Sequence, residues 1–304
     1  MAAPLRGTQS LVGQMSWVFG RPSLTAIEVA WRWVFGVPLL AVCWIQAQQI
    51  LALLPPESAG LAAIDPENPW VAVVQLTDAW DLYRPHVFAV LRWLLPVAAL
   101  VWVIVSGFGR SLVLKRLEPR LAVRPVNMIA LQAAWLALLA ATCWGWFRSI
   151  EWVAATHITP NNEPDLVGYS MWAIFLTLGF FTLWSLLSWA LSIAPLLMLL
   201  ENCSPVVALV RSLSLGKPLT SKLVETNMVM GIVKLALIVL AMVLSAAPLP
   251  FSDQLGPDAM HGVVALATIF YLVASDYFQV VRLKGFLEFL KMFRGIEVGS
   301  RREG

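Results

Sequence analysis

Charge is scarce in this chain. Asp, Glu, Lys and Arg make up 13% of its residues, about half the share in a soluble domain, and no long polar stretch marks off a separate soluble unit. Cysteine is scarce too. Cys43, Cys143 and Cys203 form no CxxC pair, which argues against a disulfide framework or a zinc site and leaves them as small apolar packing residues. Of the three histidines, His86, His157 and His261, none has a ligand-like spacing to another. A haem would need axial ligands facing each other across helices, and only His86 and His261, at the outer ends of two predicted spans, could approach that arrangement. No Walker loop, GxSxG, HExxH or GxGxxG occurs, and no serine has an evident base beside it. These absences leave an enzyme unsupported and imply no cofactor. A net charge of +3 is too small and too dispersed for nucleic-acid binding. The N-terminus lacks a basic region followed by a compact apolar core and a small-residue cleavage site, so no cleaved signal peptide is expected.

What the chain has instead is apolar length. Hydrophobic residues make up 59% of it, arranged in runs near or above the ~20 residues needed to cross a bilayer. The expected spans are 26–54, 86–108, 127–147, 171–200, 227–247 and 262–281. Pro38, Pro96 and Pro195 fall inside three of them and should kink them, because proline removes a backbone donor. Residues 4–20 suit a short helix on the membrane surface. Residues 55–85 read as the longest loop, with Trp70, Val71, Val74, Trp80 and Tyr83 able to form a second surface helix. Thr159-Pro160-Asn161-Asn162 is a turn signal between the third and fourth spans. The fold class is therefore all-α: a polytopic helical membrane protein of about six spans with interfacial helices.

Six spans place both termini on one side, and loop charge decides which. Arg110, Lys115, Arg116, Arg120, Arg211, Lys217, Lys222 and the cationic tail from Arg282 onward share that side. The opposite loops, about 55–85, 148–170 and 248–260, carry only Arg84 and Arg148 as cations beside ten acidic residues. The excess of cations marks the cytoplasmic side. The prediction is a bacterial cytoplasmic (inner) membrane protein with both termini in the cytoplasm. Its basic segments after the second and fourth spans would lie as short helices on anionic lipid headgroups or dock partner subunits.

Arg110-Ser111-Leu112-Val113-Leu114 and Arg211-Ser212-Leu213-Ser214-Leu215 share a pattern, and each precedes an Asn-Met pair that opens a span, at Asn127 and Asn227. Phe19-Gly20-Arg21-Pro22-Ser23-Leu24 is a looser copy. Read as repeats, the units are about 19–107, 108–209 and 210–293 of a single membrane domain. They share orientation and so are parallel. All fifteen tryptophans lie between Trp17 and Trp189. Most suit bilayer interfaces, whereas Trp102, Trp135 and Trp184 lie deeper and should pack between helices.

Two charged pairs fall within or beside the spans. Lys234 in the fifth and Asp276 in the sixth are equidistant from the centre of the connecting hairpin, so they should sit at one depth. Each alone would cost about 2.5–3.5 kcal/mol near a helix centre. A structural ion pair that sets helix register and an ion or proton relay are both compatible with this spacing. Glu28 and Arg32 are four residues apart near the cytoplasmic end of the first span and share a helix face.

The stretch Glu201-Asn202-Cys203-Ser204-Pro205-Val206-Val207-Ala208-Leu209-Val210-Arg211-Ser212 resembles a cytoplasmic segment of bacterial six-helix membrane proteins. That group includes the membrane domain attached to some glycerophosphodiester phosphodiesterases. In that pattern a span ends in an acidic or amide residue, and Ser-Pro-x-x-Ala-hydrophobic-x-x-Ser follows. Glu201-Asn202, Ser204-Pro205, Ala208 and Ser212 match, whereas Leu213 stands where the group usually has an aromatic. The resemblance implies a helical multi-pass fold and no catalytic residue, since the phosphodiesterase chemistry resides in a separate domain. Two functions follow as expectations. One is a non-enzymatic scaffold or accessory subunit of a membrane complex. The other is a transporter or lipid-handling permease with a cavity lined by Glu28, Arg32, Lys234 and Asp276.

Overall fold

The computed structural model describes residues 7–61, 69–119, 124–158, 165–214, 217–246 and 257–302. Among these residues the secondary structure is helical, with no strand. The helices are α1 (Gly7–Phe19), α2 (Pro22–Leu53), α3 (Pro69–Leu117), α4 (Pro125–His157), α5 (Leu166–Glu201), α6 (Pro205–Leu213), α7 (Lys217–Ala246) and α8 (Pro257–Arg302). Six of them, α2, α3, α4, α5, α7 and α8, contain segments long and apolar enough to cross a bilayer. The chain is an all-α, multi-pass membrane protein.

Helix boundaries depart from the sequence expectation in one consistent way: the helices run on past the apolar spans. The expected loop 55–85 is much shorter, because α3 starts at Pro69 and continues through Pro85 and Pro96 to Leu117. The second surface helix and the basic segment after the second span are therefore the two ends of one 49-residue helix. Proline at the start of α3 sacrifices no hydrogen bond, since the first helical N–H groups have no intrahelical acceptor. The tail beyond the last span likewise belongs to the continuous helix α8. Helices α2 and α5 stay continuous through Pro38 and Pro195.

The chain divides into two compact units, one of residues Ala30–Ser106 and the other of Met1–Val29 with Gly107–Gly304. In the first, α2 and α3 run antiparallel and meet through aromatic rings. Trp102 lies 5.8 Å from Trp31 and 5.1 Å from Phe35, centroid to centroid, and the Tyr83 hydroxyl donates to the Leu54 carbonyl at 2.9 Å. Offset and edge-on ring pairs of this kind add about 0.5–1.5 kcal/mol beyond their buried area. Trp102 thus packs between helices as its depth predicts.

In the second unit, α4 packs on α5 and α7 on α8. Trp135 and Trp184 meet edge-on at 5.5 Å, and Trp146 Nε1 donates to Thr177 at 3.0 Å. The core of this unit gathers Val18, Leu24, Leu114, Met128, Ile193, Leu196, Leu223, Val280, Phe286 and Leu287. Their places in the chain put this core at one end of the helices, near the α5–α6 turn. The last turns of α5 are apolar on every side and buried from Ile193 to Leu199, as a helix enclosed by its neighbours should be. The N-terminal helix α1 packs against α8 and leaves Val12 and Phe19 exposed. Gln14 Nε2 donates to Glu288 at 3.2 Å, the Tyr277 hydroxyl donates to the Met15 carbonyl at 2.8 Å, and the Lys284 ammonium sits 4.3 Å from the Trp17 ring centre. Cys43 and Cys143 face outward and do not pack in a core, while Cys203 is half-buried; all three are free thiols.

Candidate functional site

The polar groups of the α7–α8 hairpin form the most concentrated chemistry in the apolar part of the chain. Asn227 and Lys234 are two turns apart on one face of α7, the face that also buries Leu223, Thr226 and Met230. On α8, Asp276 and Gln279 are both 3% exposed, and Arg282 follows one turn later. The Arg282 guanidinium donates to Asn227 Oδ1 at 3.2 Å. That bond sets the antiparallel register, because residues whose numbers add to about 509 lie opposite each other. Lys234 and Asp276 add to 510, so the register carries them to one level. Each has an interaction partner. A carboxylate buried this deeply in apolar surroundings is tolerated only when paired or hydrogen-bonded.

Glu28 and Arg32 both lie on α2. Glu28 belongs to the larger unit and is fully buried, at 0% exposure. Arg32 belongs to the smaller unit, with its guanidinium 5.3 Å from the Trp31 ring centre.

Of the basic residues, Arg110, Lys115 and Arg116 occupy the last turns of α3. The expected separate surface helix does not form there: α3 runs on through Ser106-Gly107 and Gly109 to Leu117. Lys115 and Arg116 are exposed and Arg110 is half-buried. Arg120 lies outside the described residues, as do the side chains of Lys217 and Lys222 on α7. Glu118, just past α3, pairs with Lys291 of α8.

The segment after the fourth span does form a separate short helix, α6. Asn202 adopts the left-handed conformation with φ 47° and caps α5. Ser204 accepts from the Val207 N–H at 3.4 Å as the α6 N-cap, and Pro205 opens the helix. Ala208 and Ser212, one turn apart, are buried against the bundle. Arg211 turns back to Glu201, and this carboxylate holds the guanidinium pKa above its ordinary value. Every matched position of the Glu-Asn…Ser-Pro…Ala…Ser pattern therefore has a local structural task in a tight helix–turn–helix. The exposed side of α6 carries Val206, Val210 and Leu213, an apolar face of the kind that lies against acyl chains. Leu209 is turned partly inward and packs at the margin of the core.

At the opposite ends of α4 and α5, Asp165 caps α5 by accepting from the Gly168 N–H at 2.8 Å and meets His157 Nδ1 at 3.2 Å. The backbone N–H bond, and secondarily the histidine, hold its pKa below the ordinary 3.8. Because the folded value is the lower one, the contribution of this cap to stability is complete above the unfolded pKa and is lost as pH falls through the folded pKa. Asp165→Asn keeps an acceptor but removes the charge. It is expected to flatten the acid limb of the stability–pH profile below pH ~4 while leaving the melting temperature near neutrality almost unchanged. An unaltered acid limb in this variant would refute the assignment. His86 and His261 are exposed, and among the described residues no group of three His, Cys, Asp or Glu side chains could hold a metal ion.

Comparison of the chain with protein-family models, with curated proteins and with solved structures returned no match. The functional reading therefore rests on the residues and their geometry.

Proposed function

We propose that the chain is a non-enzymatic scaffold or accessory subunit of a membrane complex, resident in a bacterial cytoplasmic membrane with both termini in the cytoplasm. The observation that supports it most is the length and surface of α3. At 1.5 Å per residue its 49 residues extend about 74 Å, more than twice the ~30 Å hydrocarbon core. The Tyr83–Leu54 bond marks where its antiparallel partner α2 ends, so Pro69–Leu82 outruns α2. That projecting segment exposes Val71, Val73, Val74, Leu76, Trp80 and Leu82. Exposed apolar side chains on two sides of a helix beyond its hairpin partner fit docking of other subunits' helices. The cations at the other end of α3 suit the anionic cytoplasmic leaflet, at about 1 kcal/mol each.

The test is affinity purification of the full chain from its native membrane, beside a Val74→Glu/Trp80→Glu variant. The expected result is a stoichiometric partner subunit with the parent and its loss, at unchanged yield and melting temperature, with the variant. A parent that purifies alone would overturn the reading. Orientation is checked separately: a single cysteine at position 161 should label only from the outer side.

A second reading, a transporter or lipid-handling permease, is favoured by one observation. The α7–α8 register brings Lys234 level with a buried Asp276. A protein that purifies without partners but retains a lipid or solute would move the conclusion to this reading.

A further inference from the structure

A cavity of about 240 Å³ opens between α5, α7 and α8. Ser185, Ser188 and Ser192 line it from one face of α5, at the i, i+3, i+7 spacing that stacks side chains along a helix. Asn227 and Arg282 close it from α7 and α8, already joined by their 3.2 Å hydrogen bond. Phe181 and Trp184 form an aromatic rim toward the α5 N-terminus, and Phe181 is 69% exposed. The lining therefore combines one fixed guanidinium, three hydroxyl donors and one carboxamide within otherwise apolar helices.

We propose that this cavity binds the phosphate group of an anionic lipid. Guanidinium and hydroxyl groups together form the donor set that recognises phosphate oxygens, and Arg does so with fixed, charge-assisted geometry. Size limits the ligand. The volume falls below the ~300–1,000 Å³ of pockets that enclose whole drug-sized molecules, so it holds a headgroup and leaves the rest of the ligand outside. Depth agrees. Helix α5 is about 54 Å long, which leaves about 12 Å beyond each side of a ~30 Å hydrocarbon core. Ser192 lies nine residues, about 14 Å, before the end of α5 at Glu201, close to the boundary between acyl chains and headgroups. The exposed aromatic rim then continues the site along α5 in the direction the acyl chains run, a continuation that free phosphate would not use. The acids nearest along the two helices are Asp276, six residues from Arg282 on α8 and about 9 Å along the axis, and Glu225, two residues before Asn227 on α7; neither lines the cavity. A scaffold and a permease would both use such a lipid, so the inference stands apart from the choice between them.

The experiment is native mass spectrometry of the full chain in detergent, titrated with phosphatidylglycerol, with phosphatidylcholine and with inorganic phosphate. The parent protein is expected to retain phosphatidylglycerol at least 10-fold more strongly than phosphatidylcholine. Arg282→Gln should lose that preference, Arg282→Lys should keep part of it, and Ser188→Ala/Ser192→Ala should weaken phosphatidylglycerol a few-fold with phosphatidylcholine unchanged. Should Arg282→Gln lower the yield of folded protein, the serine variant, which leaves the Asn227–Arg282 bond intact, decides alone. Equal retention of the two lipids by the parent, or undiminished preference in the serine and arginine variants, would overturn the proposal. Displacement of phosphatidylglycerol by millimolar inorganic phosphate would overturn the lipid as ligand and assign the cavity to a soluble oxyanion.

Discussion

Gly107→Leu is expected to abolish recovery of a monodisperse protein, and Gly107→Ala to lower its melting temperature by about 5 °C or more. A Cβ at Gly107 would stand 2.5 Å from Ile129 Cγ1, 2.9 Å from Ile129 Cα and 3.0 Å from its backbone nitrogen. Two of these atoms belong to the α4 backbone, so no rotamer change relieves the clash and the helices must separate. Overpacking typically costs about 1–3 kcal/mol. A leucine adds three more carbons to the same contact, where small residues let membrane helices approach. Gly179 is the control: a Cβ there meets nothing within 4 Å, so Gly179→Ala should be neutral or slightly stabilising through helix propensity. Differential scanning fluorimetry in one detergent compares all three variants. Equal melting temperatures for Gly107→Ala and the parent would remove the close α3–α4 approach as a determinant of this fold.

Lys234→Met and Asp276→Leu are each expected to destabilise the protein strongly, by about 3–5 kcal/mol, while the double variant loses much less than the sum. The physical reason is that removing one member leaves the other charge in apolar surroundings without its counter-charge, whereas removing both leaves no charge to solvate. The expectation follows from the Asn227–Arg282 bond and the register it imposes, together with the burial of Asp276. Thermal or denaturant unfolding of the four proteins gives the coupling energy. Additive losses would reject the pairing of Lys234 with Asp276. Full stability of both single variants, with loss of a transport or exchange activity, would move the pair from a structural role to a relay.

Much of the architecture is legible in composition because a bilayer constrains the backbone more severely than water does. Every N–H and C=O in hydrocarbon must be bonded within its own segment, so an apolar run of sufficient length is a helix. All six apolar spans, the interhelical packing of Trp102, Trp135 and Trp184, and the short helix after Ser204-Pro205 follow from that constraint and from local capping chemistry. Helix ends are less legible. Water also supports helices, and nothing in Trp70–Tyr83 or Arg110–Leu117 stops one, so hydrophobicity alone separates segments that the backbone joins. The contact at Gly107 had a readable signal in the small-x-x-x-small spacing of Gly107 and Ser111, two buried positions. The adjacent Phe108-Gly109-Arg110 string is the more conspicuous feature, but its conspicuous residue is a charge.

The sequence by itself determined the class and the number of apolar spans, because these depend on one-dimensional quantities: run length and period. Tertiary structure alone decided which polar residues converge. Ser185, Ser188 and Ser192 read as ordinary small residues of an apolar helix until Asn227 and Arg282, at least thirty-five positions away in the chain, close a cavity against them. Likewise Glu28 is fully buried, which its spacing to Arg32 does not reveal. Burial and convergence depend on which helix faces meet, and helical period marks a face without naming the neighbour that covers it.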